Sequence, residues 1–195
     1  MLTGLPPLIS SDTRLLILGS FPSTASLAAH QYYGHPQNQF WPVLQAVFPS
    51  CPMSTVTSSY QIRSKWLLSK QLGVWDVYAA CERKGSLDSH IRNPVVNDFA
   101  GLRRLCPALE AIAHNGAESF KHARHVSAAL VAGIESSAGP PPASSEPLGG
   151  SALHDVKGVG ILFHRLPSTS PANASWSFER KLAAWREIFE KHGLV

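Results

Sequence analysis

The feature that most constrains this chain is the abrupt end of its first apolar run. Residues 14–18 read RLLIL and stop at Gly19-Ser20-Phe21-Pro22, where a loop rich in Ser, Pro and Gly begins. A short continuous apolar run suits a strand buried on both faces. A buried strand that halts at glycine ahead of a helix is how α/β folds present reactive groups beyond the strand end. Shortly afterwards Tyr32, Tyr33, His35, Asn38, Phe40 and Trp41 cluster around Gly34 and Pro36. Aromatic rings and one amide, held by turn residues beyond a strand end, suit a pocket for a flat polar ring.

The pattern then repeats. Residues 73–80 (GVWDVYAA), 109–113 and 159–163 read as further strands, and Asp76 is the one charge inside the second. A helical turn is expected over 26–30 and a helix from Asn38, which is placed to cap it ahead of Pro42 in the first turn. Further helices are expected over 59–71, over 97–105 behind Asn97 or Asp98, over 118–131, and over 177–192 with Phe178, Leu182, Trp185, Ile188 and Phe189 on one face. Residues 1–13 read as a lead-in packed against the domain edge, and the stretch CERKGSLDSH as a polar loop. Four alternations of strand and helix predict a parallel sheet with helices on both faces and its ligand site beyond the carboxyl ends of the strands.

At 195 residues and 44% hydrophobic content, one domain spanning 1–195 is expected, with residues 133–150 (GIESSAGPPPASSEPLGG) as a flexible insertion within it. A net charge of +4 and a pI near 9.1 suit a polyanionic partner without requiring one. Cys51, Cys81 and Cys106 are widely spaced, which argues against a disulfide framework, an iron–sulfur cluster and an oxidising compartment. No apolar run approaches the ~18 residues of a membrane span, and the N-terminal residues lack the pattern of a signal peptide. A soluble, intracellular monomer is the expectation.

The strings LILGSFP, YYGHPQNQFW, VWDVYAACERKGSLDSHI and LPSTSPANAS, in this order over most of the chain, resemble the uracil-DNA glycosylase superfamily. They are most similar to its branch acting on deaminated purines, the deoxyinosine (hypoxanthine-DNA) glycosylases. The resemblance implies a three-layer α/β/α fold around a four-stranded parallel sheet. It also implies hydrolysis of the N-glycosidic bond of deaminated bases in DNA, hypoxanthine first with xanthine or uracil as alternatives, and no cofactor or metal.

Such chemistry must hold an extruded base, stabilise the departing negative charge and place a water at the anomeric carbon. The resemblance assigns the water to Asn38. The competing use of that side chain is as a helix cap, and a neutral amide is a poor general base. The resemblance makes Tyr33 the ring that stacks on the base, with Tyr32 as the alternative. It puts Asp76 where uracil-specific relatives have a base-reading Asn, and the amides around Ser20 and Phe21 in the pocket wall. A carboxylate at 76 would accept from a ring N–H and repel the ring acceptor of an undeaminated base. The competing reading is a strand-end Asp serving loop amides. In the family's second motif Leu166, Pro167, Ser168, Thr169 and Ser170 would contact DNA and grip the phosphate backbone, helped by Arg165.

Two departures stand out. Leu166 occupies the place of a His in many relatives, and Ser23 follows Pro22 where glycine is usual, which would cost strain if φ there were positive. Ser20, Asp76 and His164 follow the chain order of an α/β-hydrolase triad but lack the G-x-S-x-G elbow. His114, His122 and His125 lack an acidic partner for a metal. The one lysine in these strings is Lys84, in the polar loop rather than among the residues assigned to the base or the water, so no Schiff base is expected. Two other functions remain open, a non-cutting module that binds damaged or single-stranded DNA and a hydrolase of free nucleosides.

Overall fold

The computed structural model describes residues 1–51, 59–135 and 160–195. In chain order it contains β1 (Leu2–Thr3), β2 (Leu15–Gly19), α1 (Thr24–Ala29), α2 (Phe40–Val47), α3 (Tyr60–Ser69), β3 (Leu72–Asp76), β4 (Tyr78–Glu82), a 3-10 turn (Asp88–His90), β5 (Arg92–Val96), α4 (Leu102–Leu105), β6 (Ala111–Asn115), α5 (Ala117–Phe120), α6 (Ala123–Glu135), β7 (Leu162–Leu166) and α7 (Phe178–Lys191).

The sheet expected from the apolar runs is present. It is four-stranded and wholly parallel, in the order β3-β2-β6-β7. Leu15, Leu16, Ile17 and Leu18 of β2 are fully buried, as strands covered by helices on both faces must be. The register aligns the strand ends: Gly19 pairs with Asp76 and Asn115 with Leu166. Helix α7 packs on both β7 and α2, and α3 packs on β3, so the three-layer α/β/α architecture holds.

Several boundaries move. The expected strand 73–80 breaks after Asp76, where the chain turns away from the parallel sheet. The Val77 and Tyr78 amides donate to the carbonyls of Gly19 and Ser20. Beyond the break β4 joins β1 and β5 in a second, antiparallel sheet of order β1-β4-β5, which the sequence reading did not contain. The expected helix 97–105 shrinks to α4. Asn97 instead donates its side-chain amide to the Asp76 carbonyl, and Asp98 accepts from Ala100 N–H. The lead-in does pack on the sheet edge, with Leu8 and Val74 exchanging backbone hydrogen bonds.

Helix α6 continues through Gly133 to Glu135; the rest of the expected insertion lies outside the described residues. Gly133 sits where a Cβ would overlap the carbonyl of Ala100. Gly133→Ala should therefore cost about 1–3 kcal/mol by forcing α6 off this contact, read as a lower urea midpoint. An unchanged midpoint would mean the helix end relaxes freely.

Candidate active site

A cleft of about 1050 Å³ opens at the carboxyl ends of the parallel strands. Gly19, Asp76, Asn115 and Leu166, the last residues of all four strands, line it. Ser20, Phe21, Tyr33 and Asn38 form part of its wall, and Arg165, Pro167, Ser168 and Ser170 another part. Every site residue expected from the sequence lines this cleft except Thr169.

Thr169 is fully buried, so its hydroxyl does not face the cleft. It works inside the loop: the Asn115 side-chain Nδ2 donates to its hydroxyl at 2.9 Å, and its own N–H donates to Asn115 Oδ1 at 2.9 Å. Its carbonyl accepts from Gln39 N–H at 3.0 Å. One residue thus ties the 167–173 loop to both the end of β6 and the segment carrying Asn38. Leu166 is also buried, and its carbonyl accepts from Gly116. Asn115 and Gly116, absent from the expected site, form the floor to which this loop is fixed. Gly116 has φ +111 and Ser168 stands 3.0 Å from where its Cβ would be, so glycine is required there.

Asn38 lies one residue ahead of the cap of α2. Gln39 takes the N-cap position, and the Asn38 side-chain oxygen accepts from Phe40 N–H at 3.0 Å. The side chain therefore caps and lines the cleft at once. A carbonyl oxygen has two lone pairs, so this bond orients the amide and still leaves acceptor capacity toward the cleft. Behind it the buried Lys181, which the sequence reading left out of the α7 packing face, donates to the Gln39 side-chain oxygen at 2.8 Å.

Tyr33 adopts the left-handed conformation, φ 54, which costs a bulky residue and is found where surrounding contacts enforce it. The enforcing contact is Phe40, stacked at 3.8 Å between centroids and 17° between planes. Tyr32, the alternative, also lines the cleft but is almost wholly buried, and its hydroxyl donates to the carbonyls of Leu5 and Pro6. Ser23 has φ −63 and caps α1 by accepting from Ser26 N–H, so the departure from glycine brings no strain.

Asp76 is 4% exposed, and its Oδ2 has no hydrogen-bond partner among the described residues. Burial, reinforced by the Asp88 carboxylate and only partly offset by Arg83, pushes it up to about 7. A side chain at Gly19 would occupy the space of Asp76 Oδ1, which explains the glycine at the end of β2. Asp88, absent from the expected site, accepts from the Ser20 hydroxyl at 2.7 Å and lines the cleft.

The remaining constellations disperse. His164 Nε2 bonds His192 Nε2 at 2.8 Å, away from Ser20, so no hydrolase triad assembles. His114 bonds Ser119, and His122 bonds the Tyr78 hydroxyl. No helix among the described residues is long and apolar enough to cross a membrane.

Comparison with known proteins agrees with this fold. Residues 6–190 match the Uracil DNA glycosylase superfamily, and the chain belongs to that superfamily. Within it, the similarity is to the hypoxanthine branch. A hypoxanthine DNA glycosylase of Methanosarcina acetivorans is 32% identical over 95% of this chain and 96% of its own. One from Methanosarcina barkeri is 39% identical over 61% of this chain and 73% of its own. A solution NMR structure from M. acetivorans, described as a candidate uracil DNA glycosylase, superposes with a TM-score of 0.69. It is 30% identical and covers 97% of this chain and 96% of its own.

Proposed function

We propose that the protein is a monofunctional DNA glycosylase that releases hypoxanthine from deoxyinosine in DNA, with xanthine and uracil as weaker substrates. The observation that carries this reading is the buried, unpartnered Asp76 oxygen at a strand end inside the cleft. An orphaned carboxylate there is costly, and a ligand N–H from an extruded base would satisfy it. Hypoxanthine carries such an N–H where adenine carries a ring acceptor.

In this reading Tyr33, backed by Phe40, stacks on the flipped base. Asn38, fixed by its bond to Phe40 N–H, accepts a hydrogen bond from a water aimed at C1′. The C1′–N9 bond breaks as the water oxygen bonds to C1′; the electron pair leaves with the base, and the proton lost by the water is balanced by protonation of the departing ring. Ser168, Ser170 and Arg165 hold the flanking phosphates. No lysine lines the cleft among the described residues, consistent with hydrolysis rather than Schiff-base chemistry. All these groups come from one chain, so a monomer suffices.

The test is release of base from oligonucleotides carrying one deoxyinosine, deoxyxanthosine or deoxyuridine, followed by alkaline cleavage at the abasic site. Hypoxanthine should leave fastest. Binding without release from any of the three would leave a DNA-binding module, and activity confined to free nucleosides would remove DNA as the substrate.

A further inference from the structure

A base can be held outside the duplex only if something occupies the space it vacates or compensates for lost stacking, and proteins commonly insert an apolar side chain there. The 167–173 loop offers no such group, because Leu166 is buried and the loop carries only Pro, Ser, Thr, Ala and Asn. Trp176 lines the cleft but is half-buried, with the Arg180 guanidinium 4.5 Å over its ring. Among the large apolar side chains exposed in the described residues, Leu87, at 48% exposure, is the one that lines the cleft.

Its setting is built rather than incidental. Leu87 lies on the connection between β4 and β5, after Gly85, whose φ of +75 turns the chain. Both neighbours are tied to the segment that runs from the end of β2 to the start of α1. The Ser86 hydroxyl oxygen accepts from Thr24 N–H at 3.1 Å, and Asp88 accepts from the Ser20 hydroxyl at 2.7 Å. The Leu87 carbonyl accepts from His90 N–H, and the Lys84 carbonyl is bonded to the His90 ring. The backbone is thus pinned on either side of a leucine left in solvent. Lys84 on this connection and Arg92, the first residue of β5, are exposed, where they can meet phosphates flanking an inserted side chain.

We propose that Leu87 is the wedge that enters the base stack as the damaged nucleotide swings into the cleft. This rests on the glycosylase reading above, and it makes Leu87 a positioning residue rather than a catalytic one. A wedge is needed only where there is a stack and a partner base to hold apart, so duplex and single-stranded substrates separate the roles.

The experiment compares full-length wild type, Leu87→Ala and Leu87→Met under single-turnover conditions. Substrates are deoxyinosine in a single strand and opposite thymine in a duplex. Binding to the same duplex with 2-aminopurine beside the lesion is followed by fluorescence. Leu87→Ala should hold its single-strand rate within about twofold, lose about tenfold or more on the duplex, and lose the fluorescence rise. Leu87→Met should recover most of both. Equal losses on the two substrates, or an unchanged duplex rate and fluorescence, would overturn the wedge. If wild type releases no base, the glycosylase reading fails, and the fluorescence rise in wild type and its loss in Leu87→Ala still decide the wedge.

Discussion

Asn38→Ala is expected to slow hypoxanthine release by about a hundredfold, the scale seen when one transition-state hydrogen-bonding group is removed, and to lower stability by only about 1 kcal/mol. The small stability loss is that of a helix-capping oxygen, because the bond from Phe40 N–H is what alanine deletes. The two effects are separable through Asn38→Asp. Aspartate accepts the same backbone bond, so stability should return to wild type. Its carboxylate can also take a proton from the water, so its rate should climb with pH as it ionises. Single-turnover rates and urea midpoints of the three proteins decide the matter. If Asn38→Ala keeps its rate and loses only the midpoint, the residue is a cap and the water is placed by another group.

That double use shows how far the sequence could be read. The parallel sheet was legible because a strand buried on both faces is a continuous apolar run: β2 is wholly apolar, β3 carries only Asp76, β6 is apolar through Ala113, and β7 opens on Leu162 and Phe163. The bounds of β7, Leu162–Leu166 rather than 159–163, were not, since the strand runs on through His164 and Arg165, past the end of its apolar run. The second sheet was invisible for a physical reason. Strand β1 has two residues, and β5 reads RNPVV with its first four residues exposed. An edge strand with a charge and a proline shows no alternation to detect.

In the site, residues whose chemistry differs from their surroundings were found: the lone acid in β3 and the amide among aromatics. Polar residues within polar loops were not sorted. Thr169 and Ser168 look alike in LPSTSP, yet Thr169 turns inward to Asn115. Asp88 looks like any acid in CERKGSLDSH and turns to Ser20. Only tertiary contacts distinguish them.

Asp76→Asn should make the protein more stable and less active. A carboxyl near 3.8 when unfolded and about 7 when folded contributes stability that is present below pH 4 and lost as pH rises through 7. At pH 8 the lost contribution is on the order of 4 kcal/mol, which the neutral amide avoids. The gain of Asp76→Asn in urea midpoint should therefore be large at pH 8 and vanish toward pH 4. Buried histidines run the other way. Burial lowers His114 and His164 to about 4, and His192 is lowered as well. Their stability is present above pH 6.5 and is lost as pH falls toward 4. In wild type the two trends offset each other across pH 4–7; removing Asp76 should expose the histidine loss as a steep acid decline.

Activity follows from the same charge. If ionised Asp76 accepts the N–H of the deaminated ring, the wild-type rate should rise with pH through 7. The variant should release hypoxanthine about ten- to a hundredfold more slowly, the cost of losing a hydrogen bond to a charged group, with that rise flattened. A wild-type rate that falls through pH 7 would instead assign the protonated carboxyl as a donor to a ring oxygen. A variant as active as wild type would return Asp76 to the role of a strand-end acid. A carboxylate that is destabilising and dispensable would then have no reason in the geometry, which is why retention of activity is the result least expected.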